Sequence, residues 1–242
     1  MEELIVGAHK LGIEIDVECQ KLFELYYREL IDWNKRFNLT AIIDYQAVQI
    51  KHFLDSLTVV SVINEERSTK PYFDIIDVGT GAGFPGIPLK IILPQVRLTL
   101  LDSTAKKSGF LVHMVKEMRL SDVNVIVGRA EEIAHLPLYR QQFDLVVSRA
   151  VAPMSALVEL TLPFCRIGGK LVAHKKGEIE EEIEKANRAI DVMGGRFARM
   201  EKVDVEELGE ERYLVVVEKI FPTPDKYPRR SGIPARNPIS DV

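Results

Sequence analysis

A chain of 242 residues, 46% hydrophobic and 28% charged, has the length and apolar content for one large domain, or one domain with a small appendage. Its formal net charge of -4 excludes a uniformly basic coat, although acids dominate from Glu178 to Glu211 and bases in the tail DKYPRRSGIPARNP. No run reaches the roughly 20 apolar residues that span a bilayer, and the acidic start MEELIVGAHKLGIEID is unlike a signal peptide, so a cytoplasmic protein with no membrane partner is expected.

In chain order, the first elements read as helices. LFELYYRELIDWNKRF places Leu22, Leu25, Tyr26, Leu30 and Trp33 on one face, and VQIKHFLDSLTVVSVI keeps the same period. The polar break NEERSTKP, ending in Pro71, predicts the end of an N-terminal helical cap, residues 1 to 70.

From Tyr72 the texture changes to short β-branched runs: FDIIDV (73 to 78), VRLTLLD (96 to 102), VNVIVG (123 to 128), FDLVVSR (143 to 149) and GGKLVAHK (168 to 175). Helical stretches around 87 to 92, 104 to 118, 130 to 135 and 154 to 165 separate them, the pattern of βαβ units on a parallel sheet. After the helix EIEEEIEKANRAIDVMG, RFARMEKVDV and RYLVVVEKI flank a short acidic loop and predict an antiparallel hairpin. The expected fold is therefore α/β, a seven-stranded, mostly parallel, Rossmann-like sheet over 71 to 221, followed by a poorly ordered basic, proline-rich tail over 222 to 242. Cys19 and Cys165 fall in amphipathic or apolar helical patterns and read as buried reduced thiols, with nothing polar beside Cys165 to activate it.

The chemistry concentrates in DVGTGAGFPGIPL, which follows the first strand. Residues 81 to 86 match G-x-G-x-x-G, the frame of a dinucleotide phosphate loop. Three features favour S-adenosylmethionine (SAM) over a dinucleotide. Asp77 lies where a pyrophosphate would be repelled but a cationic amino group would be held. The dinucleotide frame starts late, after a Gly79 with no part in it, and the terminal hairpin replaces a further parallel strand. Asp102, closing the second strand, suits a ribose hydroxyl in either cofactor. Together they describe a class I SAM-dependent methyltransferase with an N-terminal helical cap. The competing interpretation makes Asp77 and Asp102 mere caps of the elements that follow them.

The loop, together with Trp33-Asn-Lys-Arg-Phe-Asn-Leu-Thr-Ala-Ile42, His52-Phe-Leu-Asp-Ser-Leu57 and Ser148-Arg-Ala150, resembles the bacterial 16S rRNA guanine-N7 methyltransferase G family, also called glucose-inhibited division protein B. The resemblance covers essentially the whole chain and is most specific in Phe84-Pro85-Gly86 and in Trp33 to Ile42. It implies SAM as methyl donor, S-adenosylhomocysteine as product, and N7 of guanine 527 in 16S rRNA as acceptor, with the rRNA or small ribosomal subunit as partner; nothing in the sequence requires more than a monomer. It places cofactor contacts on Gly79 and Phe84, on Asp102, Ser103 and Thr104, on Ala130 and Glu131, and on Arg149; the loop reading adds Asp77, Gly81 and Gly83. Core packing competes for Phe84, and a solvated helix start for Glu131.

Guanine N7 carries a lone pair and no proton, so positioning suffices and no catalytic acid, base or metal is expected. Arg149, at the sheet edge, is assigned to substrate or cofactor, against a structural ion pair with Asp77 or Asp102. His52 and Asp55 share a helical face and suit a hydrogen-bonded pair. Lys106, Lys107 and His174 flank the expected pocket, and RNA contacts are assigned to Arg149, Lys175, Lys176, Arg229, Arg230 and Arg236. Two readings compete with an rRNA methyltransferase: a SAM-dependent enzyme of a small molecule or protein, and a non-catalytic ribosome-assembly or RNA-binding factor. An NAD-dependent oxidoreductase is a distant fourth.

Overall fold

The computed structural model describes residues 1 to 67, 73 to 149, 152 to 209 and 211 to 240; the break expected at Pro71 lies outside them, as does Ala150. Five helices come first: α1 (Glu2–Lys10), α2 (Val17–Phe37), α3 (Tyr45–Val48), α4 (Asp55–Leu57) and α5 (Val60–Arg67), with a π-helical turn, Gln49–Leu54, between α3 and α4. Asp16 starts α2 by accepting from the Cys19 amide at 2.7 Å, and Asn38 ends it in the left-handed conformation. Phe23, Tyr26 and Leu30 form its buried stripe.

The α/β body follows as β1 (Asp74–Val78), α6 (Gly86–Ile92), β2 (Arg97–Asp102), α7 (Ala105–Glu117), β3 (Val123–Val127), α8 (Ala130–Ile133), β4 (Phe143–Ser148), α9 (Met154–Thr161), β5 (Cys165–Lys176), α10 (Glu180–Val192), β6 (Gly195–Lys202) and β7 (Arg212–Lys219). The seven strands lie in the order β3-β2-β1-β4-β5-β7-β6. β1 to β5 run parallel, and β7 is antiparallel to both β5 and β6. The chain order reverses direction between β1 and β4, the place where open α/β sheets leave a crevice beyond their carboxyl ends.

Alternation along the strands sends Ile75, Leu98, Leu100, Leu145, Val147, Val172 and Val216 into one core, and Ile76, Leu101, Val146, Leu171, Ala173, Val215 and Val217 into the other. The first core also holds Phe23, Tyr26, Leu30, Phe53 and Leu57, so the N-terminal helices share the apolar interior of one sheet face. Among the described residues no helix is long and apolar enough to cross a membrane.

The structure corrects three local expectations. The helix expected to reach 165 stops at Thr161, because Pro163 in the following 3-10 turn has no amide to donate, and β5 starts at Cys165, paired with Phe143. Cys165 is thus a buried strand residue whose thiol is pushed up to about 12 by burial, and Cys19 is only half-buried in α2. The tail is not loose. Arg140 donates to the carbonyls of Thr223 and Tyr227 at 2.9 Å each, Pro228 and Pro234 are buried, and a short helix α11 (Ile233–Arg236) packs on α9.

Arg229 is the third correction. Its amide, Nε and Nη2 all donate to Glu159, whose side chain is 0% exposed, at 2.6 to 3.2 Å, so this arginine, expected among the RNA contacts, is engaged in an ion pair with a buried acid. Removing one partner of such a pair strands the other charge in the interior. Arg229→Ala is expected to lower unfolding free energy by about 3 kcal/mol in equilibrium urea titrations, whereas Arg230→Ala, at an exposed neighbour, shifts it by less than about 0.5 kcal/mol.

Candidate cofactor and substrate site

The glycine loop leaves β1 at the switch point. Gly79, Gly81 and Gly83 all have left-handed backbone, with φ of 74°, 62° and 100°. Side chains are excluded for two different reasons. A Cβ on Gly83 would come within 2.6 Å of Tyr26 Oη and of Ile87 Cδ1, so this glycine lets α2 close on the loop. A Cβ on Gly81 would meet nothing nearer than Lys107 Nζ at 4.0 Å, so its outer side is open.

Two carboxylates set the loop's shape. Asp77 Oδ2 accepts from Thr80 Oγ1 at 2.6 Å and from the Gly86 amide at 2.8 Å. Asp102 accepts from the Gly81 amide through Oδ2 at 2.9 Å and from the Thr104 amide through Oδ1 at 2.8 Å, which ties the ends of β1 and β2 together. The Gly79 and Thr80 amides take the Leu101 carbonyl, and Tyr26 Oη donates to the Ala82 carbonyl at 2.5 Å. These are the capping bonds of the competing interpretation. Asp77 nevertheless keeps a second oxygen, Oδ1, buried and without a partner among the described residues, and burial pushes its carboxyl up to about 7. A buried acidic oxygen without a partner, on the residue that braces this loop, fits a ligand that carries a cationic group.

The other predicted residues lie along the same sheet edge. Exposed Ser103 and Thr104 follow β2, Ala130 and Glu131 follow β3, and Arg149 follows β4 on the other side of β1. Phe84 is buried and forms part of the core: it stacks on Tyr26 at 5.2 Å and on His52 at 4.5 Å between ring centroids, with the Arg149 guanidinium 5.0 Å above its ring. Glu131 is not solvated either, since its Oε1 accepts from the Gly232 amide of the tail at 2.8 Å.

Arg149 pairs with neither Asp77 nor Asp102. Its Nη1 donates to Asp55 Oδ2 at 3.0 Å and to the Lys51 carbonyl at 3.0 Å, and its Nη2 to His52 Nδ1 at 3.1 Å. Because a guanidinium only donates, His52 Nδ1 is the accepting nitrogen and Nε2 carries the proton toward Thr40 Oγ1, 2.8 Å away. Burial and Arg149 together push His52 down to about 4. His52 and Asp55 therefore meet Arg149, not each other.

Beside this cluster, between the π-turn and the ends of β4 and β5, lies a cleft of about 770 Å³ lined by Ile42, Lys51, Arg149, His174, Lys176 and Arg212 among others. Lys175, expected among the RNA contacts, lines it too, but its ammonium donates to Glu182 at 2.7 Å and to the Ala152 carbonyl, so it is engaged within the chain. Sequence reasoning missed Tyr26, which the helical period hides among core residues, as well as Lys51 and Arg212.

The sheet order, the glycine turn at its switch point and the carboxylate at the end of β2 define a class I SAM-dependent methyltransferase. The fold superposes on a Listeria monocytogenes structure described as a class I SAM-dependent methyltransferase with a TM-score of 0.60 at 13% identity, covering 88% of this chain and 73% of that one. The model of the family "rRNA small subunit methyltransferase G" matches residues 19 to 213, and the chain belongs to that family. Relatives named ribosomal RNA small subunit methyltransferase G are 50% identical in Dehalococcoides mccartyi (strain BAV1), over 99% of this chain and all of the relative, and 44% identical in Thermoanaerobacter sp. (strain X514), over 99% and 98%.

The raised Asp77 carboxyl sets a pH dependence. Between the unfolded value of 3.8 and about 7, the folded chain holds a proton that the unfolded chain has lost, so this group's contribution to stability falls as pH rises through that window. Asp77→Asn keeps an oxygen for Thr80 and Gly86 and removes the titration. Melting at pH 5 and pH 8 is expected to show a smaller loss of stability in the variant, together with weaker SAM binding by calorimetry; an unchanged pH slope would place the Asp77 pKa elsewhere.

Proposed function

We propose that this chain transfers a methyl group from SAM to N7 of a guanine in 16S rRNA, acting as a cytoplasmic monomer. The observation that carries the reading is the placement of the carboxylate-braced loop and the basic cleft on either side of the Phe84 and Arg149 contact. Ligand and acceptor sites thereby meet at one point of the sheet edge.

The loop backbone from Gly79 to Gly83 would hold the methionine end of the cofactor, with Asp77 Oδ1 beneath it as the acidic partner. Asp102 commits both oxygens to backbone amides through one bond each, and a carboxylate oxygen has room for a further donor such as a ribose hydroxyl. Ser103 and Thr104, then Ala130 with the Glu131 backbone, continue the edge toward the base. Bound there, SAM supplies an electrophilic methyl on a sulfonium.

This chain's own task is alignment. Guanine N7 has no proton to lose, and the histidines lining the cleft are held neutral by burial, with both ring nitrogens of His52 bonded to Arg149 and Thr40, so they add no charge to the cleft. Arg149 retains Nε–H and one Nη2–H without an acceptor among the described residues, donors suited to an anionic or carbonyl oxygen. Lys51 and Lys176 line the cleft, and Arg230 and Arg236 stand exposed on the tail, where they would meet phosphates.

At a ligand concentration 100 times the dissociation constant, SAM or S-adenosylhomocysteine should raise the melting temperature by roughly 5 °C or more, and NAD should not. Mapping guanine-N7 methylation on small-subunit rRNA from cells with and without the protein should show the loss of one modified base. Loss at no rRNA position, with SAM still binding, would turn the assignment to a small-molecule or protein substrate.

A further inference from the structure

The buried carboxylate of Asp55 takes no part in the alignment described above, yet three parts of the chain converge on it. It opens α4; its Oδ2 lies 3.0 Å from Arg149 Nη1 beyond β4, and its Oδ1 lies 3.2 Å from Arg212 Nε at the start of β7. The three side chains are 7%, 19% and 12% exposed. Arg149 alone of the two arginines also covers Phe84 and touches the His52 ring.

We propose that Asp55 is a positioning residue that acts through Arg149. An arginine side chain has several rotatable bonds, and its unbonded donors serve a ligand only if the guanidinium plane is fixed. Here the carboxylate, the carbonyls of Lys51 and His52 in the π-turn, and His52 Nδ1 occupy one edge of that plane, and the Phe84 ring supports its face. Nε and the remaining Nη2 proton are left directed away from that edge. Arg212 holds Asp55 through its other oxygen, so the carboxylate cannot swing with the side chain it positions. The HFLDSL segment, a helical piece of no chemistry by itself, thereby builds the seat of a residue four strands away. The proposal rests on Arg149 contacting cofactor or RNA.

The test uses the full chain and four variants: Arg149→Gln, Asp55→Asn, Asp55→Glu and the Asp55→Asn, Arg149→Gln double. For each, the dissociation constant of S-adenosylhomocysteine is measured by calorimetry, KM and kcat on small-subunit rRNA by methyl transfer, and the melting curve in parallel. Whichever constant Arg149→Gln raises, Asp55→Asn should raise too, by about ten-fold as expected for loss of a charged hydrogen bond, and the double variant should be no worse than Arg149→Gln alone. Asp55→Glu, which retains the charge and so the fold but moves the guanidinium by one methylene, should raise the same constant. An Asp55→Asn effect that multiplies in full on Arg149→Gln, or an Asp55→Asn or Asp55→Glu protein with unaltered constants, overturns the proposal. If Arg149→Gln itself changes neither constant, the reading of Arg149 fails first and the role of Asp55 falls with it.

Discussion

The site depends on how a glycine-rich loop with no ladder of its own satisfies its backbone. Every buried amide needs an acceptor. Gly79 and Thr80 use the Leu101 carbonyl, Gly83 and Phe84 the Thr80 carbonyl, Gly81 the Asp102 carboxylate and Gly86 the Asp77 carboxylate. The two acids stand at the ends of adjacent strands, so the loop is bound to both and cannot open without breaking charged hydrogen bonds. Their burial is costly unless they are fully bonded. Asp102 meets that condition through both oxygens, whereas Asp77 does so through one only, and its Oδ1 has no partner among the described residues.

The N-terminal helices complete this device. Tyr26 on α2 reaches over Gly83 to the Ala82 carbonyl, and Tyr26, Phe53 and His52 surround Phe84. A helix that contributes a hydrogen bond to the loop and three aromatic or apolar side chains, Phe23, Tyr26 and Leu30, to the sheet's own core is a wall of the site. The Phe84-Pro85-Gly86 extension is legible in the same way. Phe84 anchors the loop's far end between two helices, and Gly86 lets α6 begin against Leu100 and Asp77 without a clash, since a Cβ there would approach Leu100 Cδ2 to 2.5 Å.

Most of the fold could be read from the sequence because parallel strands buried on both faces are short apolar runs, and their helices have a different period. The positions of β1 to β4, the antiparallel hairpin and the helical start all follow from that contrast. The site was legible where local chemistry is unusual: three glycines and an acid at a strand end. It was not legible where partners are distant in sequence. Arg149 to Asp55 spans 94 residues and Arg229 to Glu159 spans 70, and nothing in either neighbourhood says which acid a given arginine will find. Of the basic residues read as an RNA surface, Arg229 is bonded to the buried Glu159 and Lys175 to the half-buried Glu182. Gly232 on Glu131 shows the same limit for the tail, whose proline-rich composition suggests disorder while its backbone groups are consumed by α8 and Arg140.

This distribution of charge bears on how an acidic chain can act on an acidic polymer. Two arginines share the single carboxylate of Asp55, and Lys51, Lys175 and Lys176 stand against Glu182, so the cleft's lining is net positive although its histidines are uncharged. Affinity that came from many phosphate contacts would be largely indifferent to sequence and steeply weakened by salt. A guanidinium held by a carboxylate, a carbonyl and an imidazole adds directed donors to that charge, and directed donors, unlike phosphate contacts, favour one orientation of a base. Exposed cations such as Lys51, Arg230 and Arg236 act at longer range and are screened by salt, so charge of this kind bears on encounter more than on discrimination.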